Sequence, residues 1–219
     1  RERPFLVTYC VRPDTTTAQA GKLGSERIVS HRRCGIADQE PVLTLVGKLT
    51  NKKQPSLLVE AFSRLRERHR CSLLLVGEGE LEAELRDMVA TQAIPNVHFI
   101  GFLNRSEIGL AYTAADVFVL PSAYDETWGL VVNEAMAFGL PIVVSDKVGC
   151  AADLVRDGEN GFIFRSGDVP ALVTALERLV IDSSVRKRFG RRSLETISSW
   201  NYEAAAEGIA AACAAACDA

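Results

Sequence analysis

The chain reads as an α/β protein built on a parallel sheet of about six strands, covered by helices on both sides. Three observations predict this. Six short apolar runs alternate with segments of helical period along most of the chain. Those runs are apolar throughout rather than at every second residue, as strands buried on both faces require. The composition, 47% hydrophobic and 24% charged over 219 residues, is that of an ordinary globular protein with enough chain for one substantial core.

The strands are read at VLTLVG (42–47), SLLLVG (72–77), NVHFIG (96–101), DVFVLPS (116–122), PIVVSD (141–146) and GFIF (161–164), each closed by a turn former or an acid. Helices are read at 55–69, 80–92, 106–115, 129–139 and 151–158, then at 169–181 and 183–197. In the first of these, Leu58, Ala61, Phe62 and Leu65 recur at i, i+3, i+4 and i+7, with Arg and Glu on the opposite face. An Ala-rich helix from Trp200 to Cys217 has only a weak apolar stripe and is expected to cover a surface that this sheet does not supply. Residues 1–40 lack a clear period and read as a linker, with Arg27, His31, Arg32 and Arg33 as a solvated charge run. A phosphate or membrane patch is the alternative for that cluster. The expected division is a linker over 1–40, a ligand-binding domain over 41–199 and a terminal helix over 200–219.

A net charge of −3 argues against a mainly electrostatic nucleic-acid or membrane binder. The six cysteines are irregularly spaced and read as reduced thiols, which points to the cytoplasm. Cys213 and Cys217 would share a helix face, but no second pair of metal-ligand spacing accompanies them, so no metal is expected. There is no apolar run long enough to span a membrane, and RERPFLV is not a signal peptide. A start at Arg1 rather than Met suggests a fragment.

Ligands of open parallel sheets bind beyond the carboxyl ends of the strands, and the informative residues fall there. Gly129 opens a helix whose free N–H groups suit a phosphate, although many such helix starts bind nothing. Lys48 and Lys53 flank the loop after the first strand and could close on a diphosphate, with Lys52 the solvent-facing member of the run. Glu126 precedes the helix and Glu134 lies about two turns into it. Carboxylates accept vicinal hydroxyls, so a sugar on one side of a phosphate and a ribose on the other would account for both; a capping acid and a solvated helix face are the alternatives. A dinucleotide loop fails because position 82 is Glu rather than Gly, and neither a P-loop nor a nucleophile elbow is present.

The E-x7-E pattern in PSAYDETWGLVVNEAMAFGLPIVVSD, with VGKLTNKK, LLLVGEGELEAEL, NVHFIGFL, DGENGFIF and Ser199-Trp200, resembles the retaining GT-B glycosyltransferases of family 4 over residues 42–200. The resemblance implies the C-terminal, donor-binding half of such an enzyme. An absent N-terminal domain would bind a sugar or lipid acceptor, and the last helix would pack on it. It implies a UDP-, GDP- or ADP-linked sugar as donor, no metal ion, and a cytoplasmic enzyme, with the inner face of a membrane left open. Lys48 and Lys53 take the positions of a diphosphate-binding pair that is usually Arg then Lys, so Lys48 keeps the charge but loses the planar fork. Gln54 replaces the usual Gly of that loop. By the same resemblance Glu126, the catalytic candidate, faces the donor sugar together with the backbone of Thr127, Trp128, Gly129 and Leu130. Gly129 to Val131 hold the diphosphate, Glu134 takes the ribose hydroxyls, and the base lies near Gly77, Glu78, Gly101, Phe102 and Leu103. None of His31, His69 and His98 sits in a rim motif, so a family histidine at the reacting centre would come from the other domain. A non-catalytic nucleotide-sugar module and a sugar epimerase of the same fold are the competing functions.

Overall fold

The computed structural model describes residues 8–10, 23–36 and 40–217, with side chains in the first helix from Arg27 onward. The elements are α1 (Leu23–Arg33), β1 (Val42–Val46), α2 (Pro55–Arg66), β2 (Ser72–Val76), α3 (Glu82–Thr91), β3 (Val97–Gly101), α4 (Gly109–Ala114), β4 (Val117–Leu120), α5 (Leu130–Ala137), β5 (Ile142–Ser145), α6 (Ala151–Leu154), β6 (Gly161–Phe164), α7 (Val169–Ile181), α8 (Ser183–Ser198) and α9 (Tyr202–Cys217). All six expected strands form within a residue or two of their expected ends.

They make one sheet in the order β3-β2-β1-β4-β5-β6, and every neighbouring pair is parallel. The chain therefore winds outward from β1 in one direction and returns to begin again beside it at β4. That reversal leaves a crevice beyond the carboxyl ends of β1 and β4, where ligands of such sheets bind.

Side chains alternate across the sheet. Leu43, Leu45, Leu73, Leu75, Val117 and Val119 face one core, with Leu58, Phe62 and Leu65 of α2 and Leu172, Leu176 and Leu179 of α7. Val42, Val46, Leu74, Val76, Phe118 and Leu120 face the other, with Tyr112 of α4 and Val132, Ala135 and Met136 of α5. Both layers cover β1, β2, β4 and β5 completely, which is why those strands carry no polar face, whereas the edge strand β3 is only partly buried. By contrast α9 buries none of its residues.

Two elements depart from expectation. Where a linker is read, Leu23–Arg33 is a helix. Its contacts are largely polar, so no apolar stripe announces it: Ile28 and Val29 are exposed, whereas His31 is buried and its Nε2 donates to the carbonyl of Ala114 at 2.9 Å. Arg27 donates to the carbonyl of Ala115 at 3.1 Å and pairs with Asp116 at 2.6 Å. Of the four residues read as a solvated run, only Arg32 and Arg33 are exposed. The helix read over 151–158 stops at Leu154, because Asn160 captures the chain: its Nδ2 donates to the Leu154 carbonyl at 2.9 Å and its Oδ1 accepts from the Arg156 amide at 2.7 Å.

Candidate functional site

The loops after β1, β2 and β3 lie against one another through their backbones. The Gly47 amide donates to the carbonyl of Val76, that of Gly77 to Gly101, and that of Leu49 to Glu78, at 2.9, 2.8 and 3.0 Å. They enclose a cleft of about 610 Å³ lined by Val46, Gly47, Lys48, Val76, Gly77, Glu78, Gly79, Phe102, Leu103 and Ile108. The structure thus brings together Lys48, Gly77, Glu78, Phe102 and Leu103, and Gly101 stands directly behind them. The Phe102 ring is 70% exposed at the lip, while its amide donates to Oε1 of Glu78 at 3.4 Å.

Lys53 and Glu126, expected to act on different parts of one ligand, form an ion pair between Nζ and Oε2. Their side chains are 15% and 10% exposed, so the pair is shielded from solvent, and Ser122 Oγ donates to the same oxygen at 3.3 Å. Lys53 is delivered by a turn that ends at Gln54, which adopts φ +49°, the left-handed conformation for which glycine is the usual residue. Pro55 then starts α2, where its missing N–H costs nothing. Lys52 is half-exposed and its carbonyl accepts from the Ala123 amide at 2.8 Å, so the lysine loop is tied to the β4 loop.

The segment carrying Glu126 is held from behind by the loop after β5. The Gly149 amide donates to the Glu126 carbonyl at 2.8 Å and the Cys150 amide to that of Trp128 at 2.9 Å. A Cβ on Gly149 would lie 2.0 Å from the Thr127 carbonyl oxygen, so only glycine permits this approach. Gly129 ends the segment at φ +96° as the cap of α5, with no side-chain capping bond. Among the described residues, the amides of Leu130 and Val131 have no backbone partner, so the helix start presents free donors. Thr127 is exposed. Trp128 points elsewhere: its ring stacks on Tyr9 at 4.8 Å and meets Trp200 at 5.3 Å, and its Nε1 donates to Asn133 Oδ1 at 2.9 Å. Asn133, fully buried, donates in turn to the Tyr9 carbonyl at 2.8 Å. The indole therefore packs with Tyr9 and Trp200, and only its backbone is left to serve the rim.

Glu134 is half-buried on α5 and accepts a hydrogen bond of 2.6 Å from the Tyr112 hydroxyl. Burial, then the neighbouring carboxylate, holds the Tyr112 hydroxyl well above its ordinary pKa, so it is a fixed donor. Sequence reasoning missed Tyr112, Ser122 and Asn133. Tyr112 lies in the helix read at 106–115, away from the rim motifs, and Asn133 inside α5; only position in space links them to the site.

Residues 26–196 match the family described as glycosyl transferases group 1. Sulfoquinovosyl transferase SQD2 of Arabidopsis thaliana is 33% identical over 174 residues, which is 78% of this chain and 32% of that protein. In structure the chain is similar to Anabaena HepE in complex with UDP, with a TM-score of 0.83 and 20% identity over 95% of this chain and 57% of that one. It is also similar to the C-terminal domain of the group 1 glycosyl transferase LpcC of Francisella tularensis, with a TM-score of 0.75 and 20% identity over 86% of this chain and 97% of that domain. The chain spans between 32% and 44% of the length of the first curated relatives it matches. On the match across most of its length, this chain belongs to the glycosyl transferases group 1 family and has the fold of the C-terminal half of a GT-B glycosyltransferase.

Proposed function

We propose that this chain is the donor-binding domain of a retaining glycosyltransferase, which holds a nucleotide-diphosphate sugar while another domain of the whole enzyme presents the acceptor. One observation supports the reading: Lys48 lines the cleft formed by the loops after β1, β2 and β3, Lys53 of the same β1 loop pairs with Glu126 of the loop after β4, and that loop leads into the free start of α5, which also carries Glu134. The base enters the cleft between Gly77, Glu78, Phe102 and Leu103. Glu134 accepts the ribose hydroxyls, and the Leu130 and Val131 amides with Lys48 and Lys53 receive the diphosphate. Glu126 faces the sugar.

The chemistry of this arrangement is charge stabilisation. As the glycosidic bond breaks, negative charge collects on the departing diphosphate. The ammonium groups of Lys48 and Lys53 and the positive end of α5 would stabilise it, once Lys53 exchanges the Glu126 carboxylate for the diphosphate. The domain division follows from the same reading. Residues 41–199 hold the donor, and α9, which buries nothing here, docks on the acceptor domain with residues 200–219.

The test compares the two lysines of one loop. Lys53→Ala is expected to weaken UDP, GDP or ADP, whichever binds best, by roughly ten- to a hundredfold, the worth of a charge-assisted hydrogen bond of about 1.5–3 kcal/mol. Lys52→Ala should change it little. Equal effects in calorimetry would show that this loop does not receive the diphosphate.

A further inference from the structure

We propose that Tyr112 is a positioning residue of the nucleotide site, which acts by holding the Glu134 carboxylate in the one orientation that suits a ribose. The inference rests on the reading that Glu134 accepts the ribose hydroxyls.

The geometry is specific. Tyr112 is 1% exposed, and its ring is clamped between Phe118 of β4, at a centroid distance of 6.2 Å, and Phe138 after α5, at 5.2 Å. With the ring fixed, the hydroxyl has one place to go, and it donates to Oε2 of Glu134 at 2.6 Å. Among the described residues no other group bonds that carboxylate. A glutamate on a helix surface has three rotatable bonds, and loses their freedom when it grips a ligand. Here a buried phenol has already fixed the rotamer. It takes one of roughly four acceptor positions of the carboxylate and leaves the rest for vicinal hydroxyls. Pre-orientation of this kind raises affinity by removing an ordering cost, not by adding a ligand contact.

The phenol is itself held from outside. The last carbonyls of α4, at Ala114 and the following Ala115, are bonded by His31 and Arg27 of α1. The line of contact therefore runs from α1 through α4 and Tyr112 to Glu134.

A buried tyrosine that only fills the core would affect stability and leave ligand selectivity alone, so the test reads selectivity. Calorimetry would use whichever of UDP, GDP and ADP binds most tightly, and its 2′,3′-dideoxy counterpart, against wild type, Tyr112→Phe, Glu134→Ala and the double variant. Tyr112→Phe keeps the ring, and thermal unfolding checks that the variants are folded at the assay temperature. The expected result is that Tyr112→Phe weakens the ribonucleotide about three- to tenfold and leaves the dideoxynucleotide unchanged. In the Glu134→Ala background it should have no further effect on binding. The inference is overturned if Tyr112→Phe weakens both ligands alike, or weakens neither, while Glu134→Ala still selectively weakens the ribonucleotide. If Glu134→Ala shows no selectivity for the ribonucleotide, or no nucleotide binds, the underlying reading of Glu134 fails and this inference falls with it.

Discussion

At the scale of single residues, the informative contact is one between two groups that were expected to have separate partners. Glu126 neutralises Lys53, and both are largely shielded. On the proposed reading a diphosphate arriving at Lys53 competes with that carboxylate, whereas a complete donor offers Glu126 sugar hydroxyls in exchange. Glu126→Gln is therefore expected to bind bare UDP at least as tightly as wild type, by up to a few-fold, and to bind the matching nucleotide sugar more weakly. Titration calorimetry with both ligands makes the comparison. If the variant weakens both equally, the carboxylate serves to hold the lysine and its loop, and has no contact of its own with the sugar.

Among elements, the segment from Asp125 to Gly129 has no regular structure of its own and depends on the loop behind it. Gly149→Ala would drive a methyl group to within 2.0 Å of the Thr127 carbonyl oxygen and 2.9 Å of that of Glu126. It should cost roughly 2 kcal/mol or more of stability and weaken donor binding as well, by displacing Glu126 from Lys53; urea unfolding and calorimetry on the same sample report the two losses. Such dependences divide what was legible in the sequence from what was not. Most strands announced themselves because both faces of β1, β2, β4 and β5 are buried, and α2 because its apolar stripe is dense. The helix α1 did not, since His31 and Arg27 bind it through side-chain hydrogen bonds to carbonyls, which leave no hydrophobic period. Lys48, Lys53, Glu126 and Glu134 could be placed on one rim from their positions at strand ends and in a helix. Their mutual partners could not: Tyr112 is 22 residues from Glu134, and Lys53 is 73 from Glu126. The strand order that puts β1 beside β4 supplies those meetings, and no local pattern encodes it.

For the molecule as a whole, the buried thiols set a pH limit. Burial pushes Cys34 up to about 11 and Cys71 and Cys150 up to about 12, from an ordinary 9.0. The unfolded chain therefore gives up these protons above pH 9 while the folded chain keeps them, so the unfolded state gains and stability falls as pH rises from 9 towards 11. At pH 10 each thiol should contribute a loss of about 1 kcal/mol relative to pH 8. Urea midpoints at the two values measure this, and Cys71→Ala, compared with itself at pH 8, should show a smaller drop. In the folded protein these three thiols should resist alkylation, whereas Cys213 and Cys217, both exposed on α9, should react.

The stack of Tyr9, Trp128 and Trp200 has an optical consequence. The chain contains two tryptophans, and both belong to this stack, 5.3 Å apart, in and beside the segment that carries Glu126. Light absorbed at the red edge of the indole band is therefore emitted from one location only. Two indoles so close share their excitation, and the coupling between them varies with their separation and tilt. The tryptophan emission of this domain, with the long-wavelength indole bands of its near-ultraviolet circular dichroism, forms a built-in gauge of the Glu126 segment; the shorter-wavelength bands also carry the tyrosines and phenylalanines elsewhere in the chain.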